Sequence, residues 1–389
     1  MARDNRSHSK LRIVCIVAVA VIVMPVLKGQ QEDLAQIRMR AMALEKEGLN
    51  AEAEQIWDGI AKADPHDAEA LAHLGLLEAR QERFEAAIDY YRRAIAINSD
   101  LPGLQMNLGL ALFKVAQFPA AIEAFSSEIK KHPGDPRLTI LLGMAHYGMK
   151  DYLVAIPYLQ RATERDTQNI PLRMALAHSC MWSKQYQCVL NVHQQVLALK
   201  GESAEADILA AQAFDQMGNN VAAEKQLRAA VHINPQEPNV HFGLGYLLWK
   251  QSRWSEAAQE FQLELDKNSE HKSSRIYLAD AWVRQGEFVK AQAALEELVS
   301  THQSEPLVHR DLGIIYANAG RNDDAIREFR LATKLDPDDA ETHLEIAKVL
   351  RATGKKDENG TELTRKTTFP ARKPPSLQEM IDSIQDPAP

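Results

Sequence analysis

Small and bulky apolar residues return to the same places every 34 residues from residue 34 onward, and the chain can be written in that register without an insertion. Lines begin at 34, 68, 102, 136, 170, 204, 238, 272 and 306, and a tenth, from 340, runs for half a repeat. The eighth position reads Ala41, Gly75, Gly109, Gly143, Ala177, Ala211, Gly245, Ala279, Gly313 and Ala347, small in every line. The twentieth reads Ala53, Ala87, Ala121, Ala155, Val189, Ala223, Ala257, Ala291 and Ala325, small but for Val189. The twenty-fourth supplies bulk, as Trp57, Tyr91, Phe125, Leu159, Leu227, Phe261, Leu295 and Phe329, with His193 the polar exception. Where two antiparallel helices cross closely, only a missing or one-carbon side chain lets the backbones approach, so the small columns predict notches and the bulky one their filling. Pro65, Pro133, Pro235 and Pro337 at position 32 stop a second helix, and Gly48, Gly218, Gly286, Gly320 and Gly354 mark the turn between helices. Each line therefore predicts a helical hairpin. One amphipathic hairpin cannot cover its own apolar face, so neighbours must stack, and the pattern predicts an all-α solenoid behaving as one cooperative array.

With this period, small positions 8 and 20 and proline at 32, residues 34–353 resemble the tetratricopeptide repeat family. The resemblance implies a right-handed superhelix whose first helices line a concave groove for peptides or partner proteins. Glu128 and Glu264 depart from it at position 27, where the family usually has Ala, and the repeat from 170 departs at Val189, His193 and Gly201, so local irregularity is expected there. The chain then divides into an N-terminal segment 1–30, a repeat array 31–353 closed by a capping helix 340–353, and a tail 354–389. In the capping helix Leu344, Ala347 and Leu350 should face inward, and Glu341, Glu345, Lys348 and Arg351 outward.

At about 100 degrees per residue, positions 4, 7, 8 and 11 of a first helix form one stripe and positions 2, 5, 9 and 12 another on nearly the opposite side. The first stripe packs internally and the second faces the groove, where a polar surface is expected unless something apolar occupies it. In three adjacent repeats it is apolar: Met106, Leu110 and Phe113; Ile140, Met144 and Tyr147; Met174, His178 and Met181, with Trp182 alongside. Phe242, Tyr246 and Trp249 form a second, aromatic cluster. These residues are candidate partner anchors, since Met conforms to differing surfaces and aromatic residues dominate interface energetics; packing between adjacent first helices is the competing explanation. The Lys and Asn with which family grooves grip a C-terminal carboxylate are mostly replaced here by apolar groups, which argues against that mode. Lys46, Arg80, Lys114, Lys250 and Arg284 recur at position 13 and read as a solvated face.

Composition narrows the function. The chain is 45% hydrophobic but 6% aromatic, which favours helix throughout, and its net charge of -8 leaves no cationic surface for a nucleic acid. Basic Arg3, Arg6, Lys10 and Arg12 precede the apolar run Ile13–Leu27, an export signature. Fifteen helical residues rise about 22 Å, short of a bilayer core, so a cleaved signal is the first reading and an uncleaved membrane anchor through residues 13–27 the alternative. Either way the repeats are expected outside the cytoplasm, periplasmic or secreted. Cys180 and Cys188 flank one predicted turn and read as two buried thiols, with a disulfide as the alternative outside the cell. His178 and His193 have no metal-ligand partner set, no catalytic motif occurs, and neither a cofactor nor a metal is implied.

In the tail, Ser376 and Glu379 form a capping box ahead of Leu377, Met380, Ile381 and Ile384 at helical spacing, predicting a short amphipathic helix at 376–385. It would dock on a partner, fold back into the apolar groove, or fray. Together these features point to an exported, non-enzymatic scaffold for protein or peptide partners. The alternatives are a binder of an apolar small molecule, lipid or polysaccharide, and a regulatory subunit of an envelope synthase or secretion complex. Trp182 and Trp249 stand two repeats apart among Met residues, which favours protein over a carbohydrate track.

Overall fold

The computed structural model describes residues 33–301, 305–354 and 374–385, and every regular element among them is helical. The export segment and the linker 355–373 lie outside the described residues. The chain forms two compact units, divided between Asp166 and Thr167. The repeat that opens the second unit is the one from 170, whose notch and filler are the atypical Val189 and His193.

In the first unit the first helices are α1 (33–47), α3 (Ala68–Arg80), α5 (Leu104–Lys114) and α7 (Pro136–Gly148), and the second helices are α2 (Asn50–Ala63), α4 (Phe84–Ile97), α6 (Phe118–Lys131) and α8 (Tyr152–Arg165). In the second unit, α9 (Ile170–Trp182), α11 (Ala204–Gln216), α13 (Val240–Lys250), α15 (Lys272–Gln285) and α17 (Pro306–Asn318) alternate with α10 (Tyr186–Lys200), α12 (Asn220–Ile233), α14 (Trp254–Lys267), α16 (Phe288–Thr301) and α18 (Asn322–Leu335). Then come α19 (Ala340–Thr353) and α20 (Leu377–Gln385). First helices touch one another, as α3 does α5, α9 does α11, α13 does α15 and α15 does α17, whereas within each unit second helices such as α4, α6, α10, α12, α14 and α16 pack chiefly on the first helices before and after them. The first helices therefore line the inner side of their repeats.

The two small columns are the hinge of this packing. A β-carbon at Gly75, Gly109, Gly245 or Gly313 would stand 2.7, 2.4, 2.8 or 2.5 Å from the ring at position 24 of its own repeat, which is Tyr91, Phe125, Phe261 or Phe329. Those distances forbid even Ala without movement of the ring. The turn is equally regular. Position 15 is left-handed in all ten lines, at Gly48, Glu82, Ala116, Lys150, Lys184, Gly218, Ser252, Gly286, Gly320 and Gly354, so half of these turns lack the glycine that the sequence could announce.

Helices α3, α7, α9, α11, α15, α17 and α19 begin at the first position of their lines, and most are capped by the residue just before it. Asp67 accepts the Ala70 amide at 2.9 Å, Asn169 that of Leu172 at 3.1 Å, and His271 Nδ1 that of Ser274 at 3.0 Å. The lines from 102 and 238 have Leu101 and Glu237 at that place, and their helices α5 and α13 start two residues later, after left-handed Gly103 and Asn239. Their first turn needs another acceptor. On α14, Glu264 reaches back and accepts the Phe242 amide at 3.1 Å, and Glu128 occupies the equivalent buried place on α6. The two departures at position 27 thus belong to the two late-starting helices.

Three sequence expectations are corrected. Cys180 and Cys188 are joined in a disulfide, because the turn from α9 to α10 brings their α-carbons to 5.9 Å, within the span of the bond. Position 13 is not uniformly solvated: Lys250 is largely buried against Asp215, and Arg284 pairs with Glu341. Glu341 consequently does not point away from the array; on α19 it meets both Arg284 and Arg310. The irregular repeat is completed by polar contacts, with buried His193 Nε2 2.6 Å from Asp207 on α11.

Gly109→Ala should lower the stability of the first unit by roughly 1–3 kcal/mol in urea unfolding. Ala116→Gly, which removes a β-carbon from a left-handed position, should leave that stability unchanged or raise it by up to about 1 kcal/mol.

Candidate functional site

Nine residues form no stable helix alone, yet the tail helix α20 is seated on the first helices α11 and α13 of the second unit. Its start is the predicted capping box: the Ser376 amide donates to Glu379 at 2.7 Å and the Glu379 amide to Ser376 Oγ at 3.2 Å. One face then turns to the array. Leu377 and Ile381 are 0% and 3% exposed, packed with Met380 and Ile384 into a cluster with Leu227, Phe242, Tyr246 and Tyr277. Gly243 lies beneath the helix: a β-carbon there would press on Leu227 Cδ2 at 3.2 Å and stand in ordinary contact with Leu377 Cδ1 at 3.6 Å and Ile381 Cδ1 at 3.8 Å.

Polar contacts fix the start of α20. Asp215, 5% exposed, accepts the Leu377 amide at 2.8 Å with one carboxylate oxygen and Lys250 Nζ at 2.6 Å with the other. Tyr246 Oη donates to the Pro375 carbonyl at 2.6 Å, and Gln216 Nε2 donates to Ser376 Oγ at 2.7 Å. A carboxylate at the positive end of a helix dipole is favourable as well as hydrogen-bonded. Burial pushes the Tyr246 and Tyr277 hydroxyls far above the usual phenol range, so both remain protonated donors. Glu379 is held below the usual carboxylate range, first by its hydrogen bonds to Ser376 and further by Lys184 and Lys250. Asp382 moves the other way, to about 6, because it is half-buried and lies near Glu379, with His178 acting in opposition.

The sequence-predicted anchors separate into groups. Phe242, Tyr246 and Trp249 come together around α20, Phe242 and Tyr246 wholly buried and Trp249 hydrogen-bonded through Nε1 to Asp280. On α9, Met174 and Met181 are buried, His178 pairs with Glu205 at 3.2 Å, and Trp182 is 44% exposed. In the first unit, Met106 and Phe113 pack against the core, Leu110 is 37% exposed, and Ile140, Met144 and Tyr147 are half-buried. Sequence reasoning missed Asp215, Gln216, Gly243 and Tyr277. Gly243 had a signal, being the one glycine at position 6 in the ten lines. Beyond Trp249 the inner face turns ionic: buried Arg310 meets Asp280 at 2.9 Å and Glu341 at 3.0 Å. Burial and the adjoining Asp280 push Asp311 well above the usual carboxylate range.

Asp382 gives α20 a pH dependence of known sign. Its carboxyl is raised when seated and ordinary when released, so seating is favoured fully below about pH 4 and loses that contribution as pH rises through about 6. Glu379, lowered when seated, acts oppositely only as pH falls below its usual value of 4.5, so amide exchange in residues 377–385 should be slower at pH 5.5 than at pH 7.5 after correction for intrinsic rates, and Asp382→Asn should flatten the difference.

The 34-residue hairpins agree with the family comparison. The family model described as "Tetratricopeptide repeat" matches residues 38–102, 106–170, 208–272, 276–340 and 310–366. These spans leave out 171–207, the repeat of Val189 and His193. Similar solved structures include a tetratricopeptide repeat protein from Parabacteroides merdae, 16% identical, covering 63% of this chain and 97% of that one with a TM-score of 0.45. Another is YrrB, described as a TPR protein with an unusual peptide-binding site, 18% identical over 47% of this chain and 95% of that one, TM-score 0.43. A third is the APC/C hetero-tetramer Cut9–Hcn1, 13% identical over 85% of this chain and 73% of that one, TM-score 0.42. No curated protein matches the chain. With family matches over most of its length, this chain belongs to the tetratricopeptide repeat family.

Proposed function

We propose that this protein is an exported scaffold, without catalysis of its own, that holds protein or peptide partners on the first-helix faces of its repeats. The observation that carries the reading is the seat of α20: the inner face of α11 and α13 takes an amphipathic helix through apolar contacts and hydrogen bonds to backbone groups. Such contacts are the ordinary chemistry of helix-in-groove recognition. In the first unit Leu110, Ile140, Met144 and Tyr147 offer a second, more open apolar surface on α5 and α7.

Export is supported by the basic start and apolar run of residues 1–30, and by the Cys180–Cys188 bond, of a kind that persists in oxidising compartments. Among the described residues no helix is long and apolar enough to cross a membrane.

The test uses full-length tagged protein cross-linked in cells and recovered from the envelope fraction. Partners captured by the unaltered protein should be lost from Leu110→Ser/Met144→Ser/Tyr147→Ser with helicity unchanged; equal capture by both would assign those side chains to packing. In acid-quenched cells Cys180 and Cys188 should resist alkylation until reductant is added. Free thiols at both positions would contradict an oxidising compartment.

A further inference from the structure

Asp215 is almost wholly buried, and it spends one carboxylate oxygen on Lys250 and the other on a backbone amide at the start of α20. Tyr246 and Gln216 likewise address the two residues preceding that helix. These groups read the beginning of a helix, and no contact among them depends on the helix belonging to the same chain. Resting on the reading of this face as a partner surface, we infer that the seat recognises the N-terminal end of an amphipathic helix in a partner, and that α20 is the chain's own copy of that ligand.

The seated segment defines the ligand's chemistry. A proline supplies a carbonyl for Tyr246, and the helix opens with Ser and, three residues later, Glu, a capping box that leaves its first amide for Asp215. Leu377, Met380, Ile381 and Ile384 follow at positions i, i+3, i+4 and i+7 and fill the cluster around Phe242. Acidic side chains occupy the flank, where Glu379 is acted on by Lys184 and Lys250, and Asp382 by His178. At Gly243 a β-carbon would press on Leu227 at 3.2 Å and make ordinary contact with Leu377 and Ile381, so side chains larger than Ala there would extend into the space of the seated helix.

The same contacts make α20 displaceable. Among its described side chains only Leu377, Gln378 and Ile381 are buried, set against the ordering of nine residues that form no helix alone. Tethering compensates by keeping the tail at high effective concentration. The chain thus occupies its own site with a ligand that an external helix of the same pattern can replace.

The probe is a fluorescent synthetic peptide of residues 372–387, followed by anisotropy. Full-length Leu377→Asp/Ile381→Asp should bind it at least tenfold more tightly than the unaltered protein, because the tail no longer competes. Adding Tyr246→Phe, which removes the donor to the proline carbonyl, should weaken that binding several-fold. Equal binding by the released and unaltered proteins, or none by the released one with helicity intact, overturns the inference. Should the double variant misfold, a protease site placed in 355–373 of the unaltered chain serves instead. After the folded protein is cut, the labelled peptide should replace the native tail, and absence of uptake overturns the inference equally. Partner capture through Leu110, Met144 and Tyr147 reads a different surface, so peptide failure with capture intact refutes this inference alone. Peptide binding without capture refutes the broader reading instead.

Discussion

Everything in this molecule depends on a bulky side chain lying against a residue that has almost none. In four repeats a ring at position 24 rests on a glycine at position 8, closer than a β-carbon would permit, and the position-20 residues beside it are fully buried in all nine hairpins. Close helix crossing at this notch fixes each hairpin. It also consumes one stripe of each first helix, so the opposite stripe is left to the inner side. The surface available to partners is therefore a consequence of the core packing.

What the second unit does with that surface follows from side chains that the core has no use for. Phe242 and Tyr246 are too large and apolar for an open groove, and they are buried between α20 and the array's own Leu227, Phe261 and Tyr277. Asp215 and Lys250 could form an exposed pair anywhere on the array. Here they are buried together, and the spare carboxylate oxygen finds its partner in the start of the tail helix. The apolar stripe supplies the area, while the carboxylate and the two hydrogen-bonding side chains fix where the helix begins.

Much of the fold was legible because its constraints are local and repeated. The register placed the first residue of seven helices, since Gly and Ala notches leave an unbroken record every 34 residues. Left-handed turns were half legible: Gly48 and its fellows announce a positive φ, but Glu82, Ala116, Lys150, Lys184 and Ser252 adopt it under the force of the packed helices on either side. Glu128 and Glu264 stood out as departures, yet their reason lies in the late starts of α5 and α13, a tertiary fact. At the site, Phe242, Tyr246 and the capping box could be read from composition and spacing. Asp215 and Gln216 could not, because they belong to a different repeat from the aromatic cluster and acquire their role only when the tail arrives from more than 150 residues away, as the separations of 162 and 160 show.

Recognition at this seat requires α20 to occupy the inner face of α11 and α13 in solution. Paramagnetic relaxation from a spin label on the solvent face of the tail, at Ser383→Cys in a chain with Cys15→Ser whose Cys180 and Cys188 remain bonded, tests this most directly. Strong broadening of the resonances of residues 212–216 and 243–250, with residues of α17 and α18 unaffected, is the predicted result. Uniform weak broadening along the array, the mark of a tail that samples no fixed seat, would contradict it.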